Sequence, residues 1–162
     1  MDKQDLIVQL RAQLEATARS ARATHDAAAM EARDGATPDE KREDARAAHQ
    51  LGTIGGAQAR RARQAQAEAD ALATFRPELK LAKVAVGAIV EIEDDERGEG
   101  RTFFLAPAGA GITLTGPGGD GLLSVVTPAS PIGKAVIGRR SGDVVDITVD
   151  GELREWQITY VA

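Results

Sequence analysis

Asp39, Glu40, Glu43 and Asp44 are the residues whose type and spacing point most directly to chemistry. They fall in the stretch Asp34–Asp44, which reads Asp-Gly-Ala-Thr-Pro-Asp-Glu-Lys-Arg-Glu-Asp, with Glu31 just ahead of it. Clustered carboxylates can ligate a hard divalent cation or orient a water for hydrolysis. The same acids can equally complement a helix N-terminus and pair along a helix with Lys41, Arg42 and Arg46, with no ligand involved. Residue types alone leave both readings open. Isolated carboxylates on a turn would hold Mg²⁺ weakly, because that ion sheds its water reluctantly, so no metal is expected to be held by this chain alone.

Other chemistries are narrower. The chain has no cysteine, which removes disulfides, thiolate metal sites and thiol nucleophiles. Its only imidazoles are His25 and His49, too few for a structural zinc site. Arg60, Arg61 and Arg63 form a basic cluster, which reads either as a solvated helix face or as a contact for a nucleic-acid backbone. The net charge of −5 argues against a generic nucleic-acid coat. The polar start Met1-Asp2-Lys3-Gln4-Asp5 and the lack of a long apolar run predict a cytoplasmic chain with no membrane partner.

The elements that must position the acids are two long helices. From Leu6 to about Arg33 there is neither Pro nor Gly, and Ile7, Leu10, Leu14, Thr17, Ala21, Thr24 and Ala28 recur at steps of three and four. Asp34-Gly35 predicts the end of this helix. Thr37 as N-cap, Pro38 in the first turn and Glu40 as partner of a capping box predict a second helix from Pro38 to about Phe75. Its seam runs through Ala48, Leu51, Gly55, Gln58, Ala62, Ala65, Ala69 and Leu72. The short turn forces the pair antiparallel, giving a hairpin, residues 1–75, with the acids at its tip. At about 1.5 Å per residue the arms would reach roughly 45–50 Å. The small seam residues imply close helix approach, and Gly52, Gly55 and Gly56 mark such an approach or, less often, a bend.

After a linker at 76–83 the period changes. Val84–Asp94, Arg101–Ala106, Ile112–Gly116, Leu122–Val126, Val144–Val149 and Arg154–Val161 read as strands, and Asp150-Gly151 as a two-residue hairpin turn. One short helix is expected over Pro131–Gly138, opened by Ser130. The fold class is therefore α+β: a helical hairpin followed by a mostly antiparallel sheet with one helix packed on it. The second half has no His, no Cys and no phosphate-loop pattern, and reads as a binding module.

The run Ser130-Pro131-Ile132-Gly133-Lys134-Ala135-Val136-Ile137-Gly138-Arg139-Arg140-Ser141-Gly142-Asp143-Val144-Val145 resembles the C-terminal domain of the Gre-type bacterial transcript cleavage factors. That family shows Ser-Pro-Leu-Gly-x-Ala-Leu-Leu-Gly, basic residues, and Gly-Asp before a strand. The likeness extends back through Leu123–Val126 and forward through Arg154–Ile158, and the helical hairpin matches the family in architecture. The resemblance implies an FKBP-like domain over 84–162, without isomerase activity, that docks on bacterial RNA polymerase beside its secondary channel. Ser130, Pro131, Ile132, Gly133, Lys134, Gly138 and Arg139 are the implied polymerase-binding residues. It also implies a coiled coil that enters the channel, where tip acids assist the polymerase's own Mg²⁺ in cutting the 3′ end of backtracked RNA. The chain would then be a monomeric cofactor of the polymerase and no enzyme by itself.

The tip departs from the family pattern Gly-Asp-Leu-x-Glu-Asn-Ala-Glu-Tyr. Aligned on its acids, Glu40-Lys41-Arg42-Glu43-Asp44-Ala45 keeps the spacing of three and the Ala, with Asp44 in place of Asn. Aligned on Gly52 and Gly56, Asp39 or Glu40 takes the second acid position and the first has none. This places the chain in a divergent branch with two expectations: a cleaving factor, or a non-cleaving occupant of the channel. Outside the family, a coiled-coil adaptor remains an alternative; a prolyl isomerase is opposed by an aromatic content of 3%.

Overall fold

The computed structural model describes residues 3–34, 41–116, 119 and 121–162, and of 33, 34 and 41–48 only the backbone. Helix α1 spans Lys3–Asp34 and α2 spans Lys41–Ala73. The expected turn at 35–40, with its Thr37 cap, lies outside the described residues. Two compact units result: residues 12–70 form one, and residues 1–11 with 71–162 form the other. The expected division at 75 therefore differs from this one, since the first turns of α1 and the last turn of α2 belong with the sheet.

In the helical unit, His25 meets Gly55, while Thr17 and Ser20 face Gln58 and Arg61, so the helices run antiparallel. Along the expected seam of α2, Gly55, Ala62, Ala65, Ala69 and Leu72 are buried, Leu51 and Gln58 are half-buried, and the side chain of Ala48 lies outside the described residues. The α1 seam slips by one residue after Leu14. Ala18 is buried where Thr17 was expected, Thr17 is only half-buried, and His25 takes the place of the exposed Thr24. A step of four after Leu14 follows the helix's own 3.6-residue period, and it buries a methyl instead of a hydroxyl.

The sheet has six strands in the order β3-β4-β2-β1-β6-β5: β1 Ile89–Asp94, β2 Glu99–Leu105, β3 Thr113–Thr115, β4 Leu122–Val126, β5 Val144–Val149 and β6 Glu152–Val161. All neighbours are antiparallel except β2 and β4, a parallel pair reached by the crossover through β3. The sequence did not show this pair. Strand β1 begins five residues later than expected: Val84 is buried instead by pairing with the segment after α3, through Gly138 N to Val84 O at 2.7 Å and Val84 N to Arg139 O at 2.8 Å. Gly87, at φ +98°, then turns the chain into β1; a side chain there would press on Pro77 at 3.0 Å.

Trp156, Ile158, Val145, Ile147, Val149, Val90 and Ile92 pack with α3 as one core. Phe103, Phe104 and Leu105 are consecutive and all buried, so β2 is covered on both faces. Leu6, Leu10 and Leu72, from the helix ends in this unit, are fully buried. Lys3 is buried as well, its ammonium donating to the carbonyl of Glu78. Burial lowers its pKa from 10.5, partly offset by the Glu78 charge. The unfolded chain therefore binds more protons between the lowered value and 10.5, and stability rises with pH through that window. In paired denaturant titrations, the native chain should gain stability there relative to Lys3→Met; a constant difference would refute the assignment.

Candidate functional site

Helix α3, Pro131–Val136, carries the best-matched motif, and the structure separates its residues by task. Ser130 caps the helix: its Oγ accepts from Gly133 N at 3.0 Å and donates to the Thr127 carbonyl at 2.8 Å. Pro131 occupies the first turn, where its missing N–H costs nothing. Gly133 is buried, and a Cβ there would collide with the Thr127 carbonyl. Ile132 is half-buried against the core, and Gly138 takes φ +78° to close the helix. These residues build the element. Lys134, Ile137, Arg139 and Arg140 are exposed, with Pro131 and Gly138. The turn after them is fixed by Asp143, whose carboxylate accepts from Arg140 N at 2.8 Å, and by Ser141 Oγ, which donates to the Thr159 carbonyl at 2.8 Å.

The tip is described less fully. Asp39 and Glu40 lie outside the described residues; Glu43 and Asp44 fall in the first turn of α2, with only their backbone described. Among the described residues no group of three or more His, Asp or Glu is arranged to hold a metal ion. Arg60, Arg61 and Arg63 are exposed; Arg61 lines a cleft with Thr17, Ser20 and Thr24 of α1. His25 is a seam residue: its Nδ1 lies 2.9 Å from the Gly55 carbonyl, which can only accept, so Nδ1 carries the proton.

One feature was not foreseen from the sequence. At the end of the sheet Arg154 bridges Glu99 at 3.0 Å and Glu152 at 3.1 Å, with Asp94 at 3.9 Å. Partial burial alone would lower its pKa, but the bonds and charges of Glu99 and Glu152 outweigh this and raise it. Asp94 is buried and turns the chain, accepting from Glu96 N at 3.0 Å and Arg97 N at 3.3 Å. Of these, Asp94, Glu96, Arg97, Glu152 and Arg154 line a groove of about 720 Å³ that reaches β5 at Val144. The signal was the alternation of acids with apolar residues in β5 and β6, legible only once the strands are in register.

Two antiparallel helices and a mixed sheet with the capped α3 define an α+β protein. Residues 79–162, just over half the chain, match the family model described as transcription elongation factor, GreA/GreB, C-terminal domain. The chain belongs to the GreA/GreB family, and is a transcription elongation factor that acts on bacterial RNA polymerase. Among solved structures it is similar to the GreA factor homolog 1 (Gfh1) of Thermus thermophilus, at 21% identity over 94% of each chain with a TM-score of 0.42. Thermus aquaticus Gfh1 gives 22% identity over 94% of this chain and 91% of that one, TM-score 0.41. A GreA/GreB factor from Nitrosomonas europaea gives 17% over 60% and 78%, TM-score 0.40. No curated protein matches the chain. The family assignment rests on the domain model alone.

Proposed function

We propose that the chain binds RNA polymerase through the Lys134–Arg139 face and inserts the α1–α2 hairpin into the secondary channel, where Asp39, Glu40, Glu43 and Asp44 assist cleavage of backtracked RNA. The observation that carries this is the acid-rich stretch 34–44, which lies in the sequence where α1 ends and α2 begins, in a chain whose other half is a family domain. Carboxylate oxygens are the donors Mg²⁺ takes, so these side chains fit the task of completing a shell that polymerase residues begin. The ion, held by the polymerase, would supply Lewis-acid activation of a water. This chain's acids would orient that water and accept its hydrogen bonds at the RNA 3′ end. Arg60, Arg61 and Arg63 would meet nucleic-acid or polymerase charge along the arm. On this reading the factor is a monomer, does no chemistry alone, and works in the cytoplasm beside the polymerase.

The test is a backtracked elongation complex with labelled RNA. Adding the full chain should shorten the RNA faster than the polymerase does alone. Glu43→Ala should abolish the gain if the acids align by their own spacing; Glu40→Ala alone should do so if Gly52 and Gly56 set the register. Polymerase binding without added cleavage would sink the cleaving reading and leave the channel-occupying one. That second reading is favoured by one observation, Asp44 standing where the family pattern has Asn.

A further inference from the structure

The two edges of the sheet are treated differently. The β3 edge is only three residues long, and the Gln9 side chain closes it: its Oε1 accepts from Thr115 N at 3.1 Å and its Nε2 donates to Thr115 O at 3.2 Å. An amide side chain here takes the place of a neighbouring strand. The β5 edge is six residues long, and among the described residues no backbone or side-chain hydrogen bond reaches its outer side. An uncovered edge of this length is what natural sheets usually block, unless something pairs with it.

The orientation of its free groups follows from the hairpin. A two-residue turn at Asp150-Gly151, with φ of 54° and 86°, makes Val149 and Glu152 a bonded pair. Ile158 N also bonds Asp143 O at 2.8 Å. Alternation then turns Asp143, Val145, Ile147 and Val149 toward β6, and leaves the N–H and C=O groups of Val144, Asp146 and Thr148 pointing outward.

The side chains along this edge specify what would fit. Val145, Ile147 and Val149 go into the core, whereas Val144 is 51% exposed on the outer face, where Asp146 stands in register with Glu155. Glu93 lies one strand further, opposite Gln157. A groove lined mainly by β1, the turn after it and β6, which reaches β5 at Val144, carries Glu93, Asp95, Glu96 and Glu155, which have no ion pair among the described residues. Its two cations are already engaged, Arg97 with Glu152 and Arg154 with Glu99 and Glu152. The surface is thus acidic with an apolar end. A second copy of the chain would bring Asp146 and Glu155 against their own kind, which opposes self-pairing. An incoming strand with Lys or Arg opposite Asp146 and a β-branched residue opposite Val144 satisfies both positions.

We propose that β5 is a docking edge for an extended basic segment of a partner protein, which adds to the sheet as a seventh strand. Main-chain bonds to Val144, Asp146 and Thr148 supply the binding, and Asp146 with Glu155 selects cations. The site is separate from the Lys134–Arg139 face, so it stands whether or not that face binds polymerase.

The test uses the full ¹⁵N-labelled chain and a short acetylated, amidated peptide alternating valine and lysine. Amide exchange at Val144, Asp146 and Thr148 should slow in proportion to 1 + [L]/Kd as peptide is added. Asp146→Pro, which removes an outward N–H, should abolish this protection. If that variant unfolds, Asp146→Lys with Glu155→Lys serves instead: it should lose the lysine peptide and bind one alternating valine and glutamate. No binding, binding without slowed exchange at these three amides, or a chain dimer in sedimentation would each overturn the proposal.

Discussion

Replacing Gly133 with alanine is expected to cost at least about 3 kcal/mol of stability in the sheet unit, near the top of the range for overpacking. The reason is geometric. The added methyl would be driven into the Thr127 carbonyl, and that oxygen cannot yield because it also accepts from Ser130 Oγ at 2.8 Å and from Ser130 N at 3.0 Å. Gly133 N is itself tied to Ser130 Oγ, and Gly133 O to Ile137 N at 3.0 Å. One methyl thus opposes both ends of a six-residue helix. Ser130→Ala removes only the cap and should cost about 1 kcal/mol. The exposed residues Lys134 and Arg139 should behave oppositely. Lys134→Ala with Arg139→Ala should leave stability within about 0.5 kcal/mol, since both are exposed, yet weaken polymerase binding about tenfold. Thermal melts paired with polymerase pull-down separate the two classes. A Gly133→Ala protein that melts like the parent would refute the steric account.

That division of labour explains how much of the site was legible beforehand. Ser130, Pro131 and Gly138 are local signals, a cap, a first-turn proline and a positive-φ terminator, and local rules identify them without tertiary knowledge. Gly133 belongs to another kind. Nothing local demands glycine inside a helix; the demand comes from Thr127, six residues earlier, once the chain has folded back. The same contrast runs through the fold. Asp150-Gly151 and the strands on either side were readable from alternation and turn chemistry. The β2–β4 parallel pair and the Gln9 seal on Thr115 were not, because they join residues whose sequence separation carries no pattern. The slip of the α1 seam lies between these cases: steps of three and four gave the face, but Thr17 and Ala18 both lie close to it, and burial favoured the methyl.

Residues 3–11, which the sequence assigns to the arm, belong with the sheet. Leu10 is fully buried, and its side chain packs against Gly109, which sits at φ +83°. A Cβ on Gly109 would come within 2.6 Å of Leu10 Cδ1 and 3.2 Å of its Cγ. Leu10→Ala should therefore cost about 3 kcal/mol, from lost burial and the cavity left behind. Gly109→Ala should cost a similar amount, about 1–2 kcal/mol of it from an L side chain in the left-handed region and the rest from the collision. Together the two should cost less than their sum by about 1 kcal/mol or more, because the smaller residue at position 10 vacates the space that the new methyl needs. The part of the Gly109 cost due to φ should persist in the double variant. Trp156, the one tryptophan and fully buried in this unit, supplies the readout in urea titrations. Simple additivity would mean that Leu10 and Gly109 do not share a packing site, and that the first turns of α1 are held to the sheet by Lys3 and Gln9 instead.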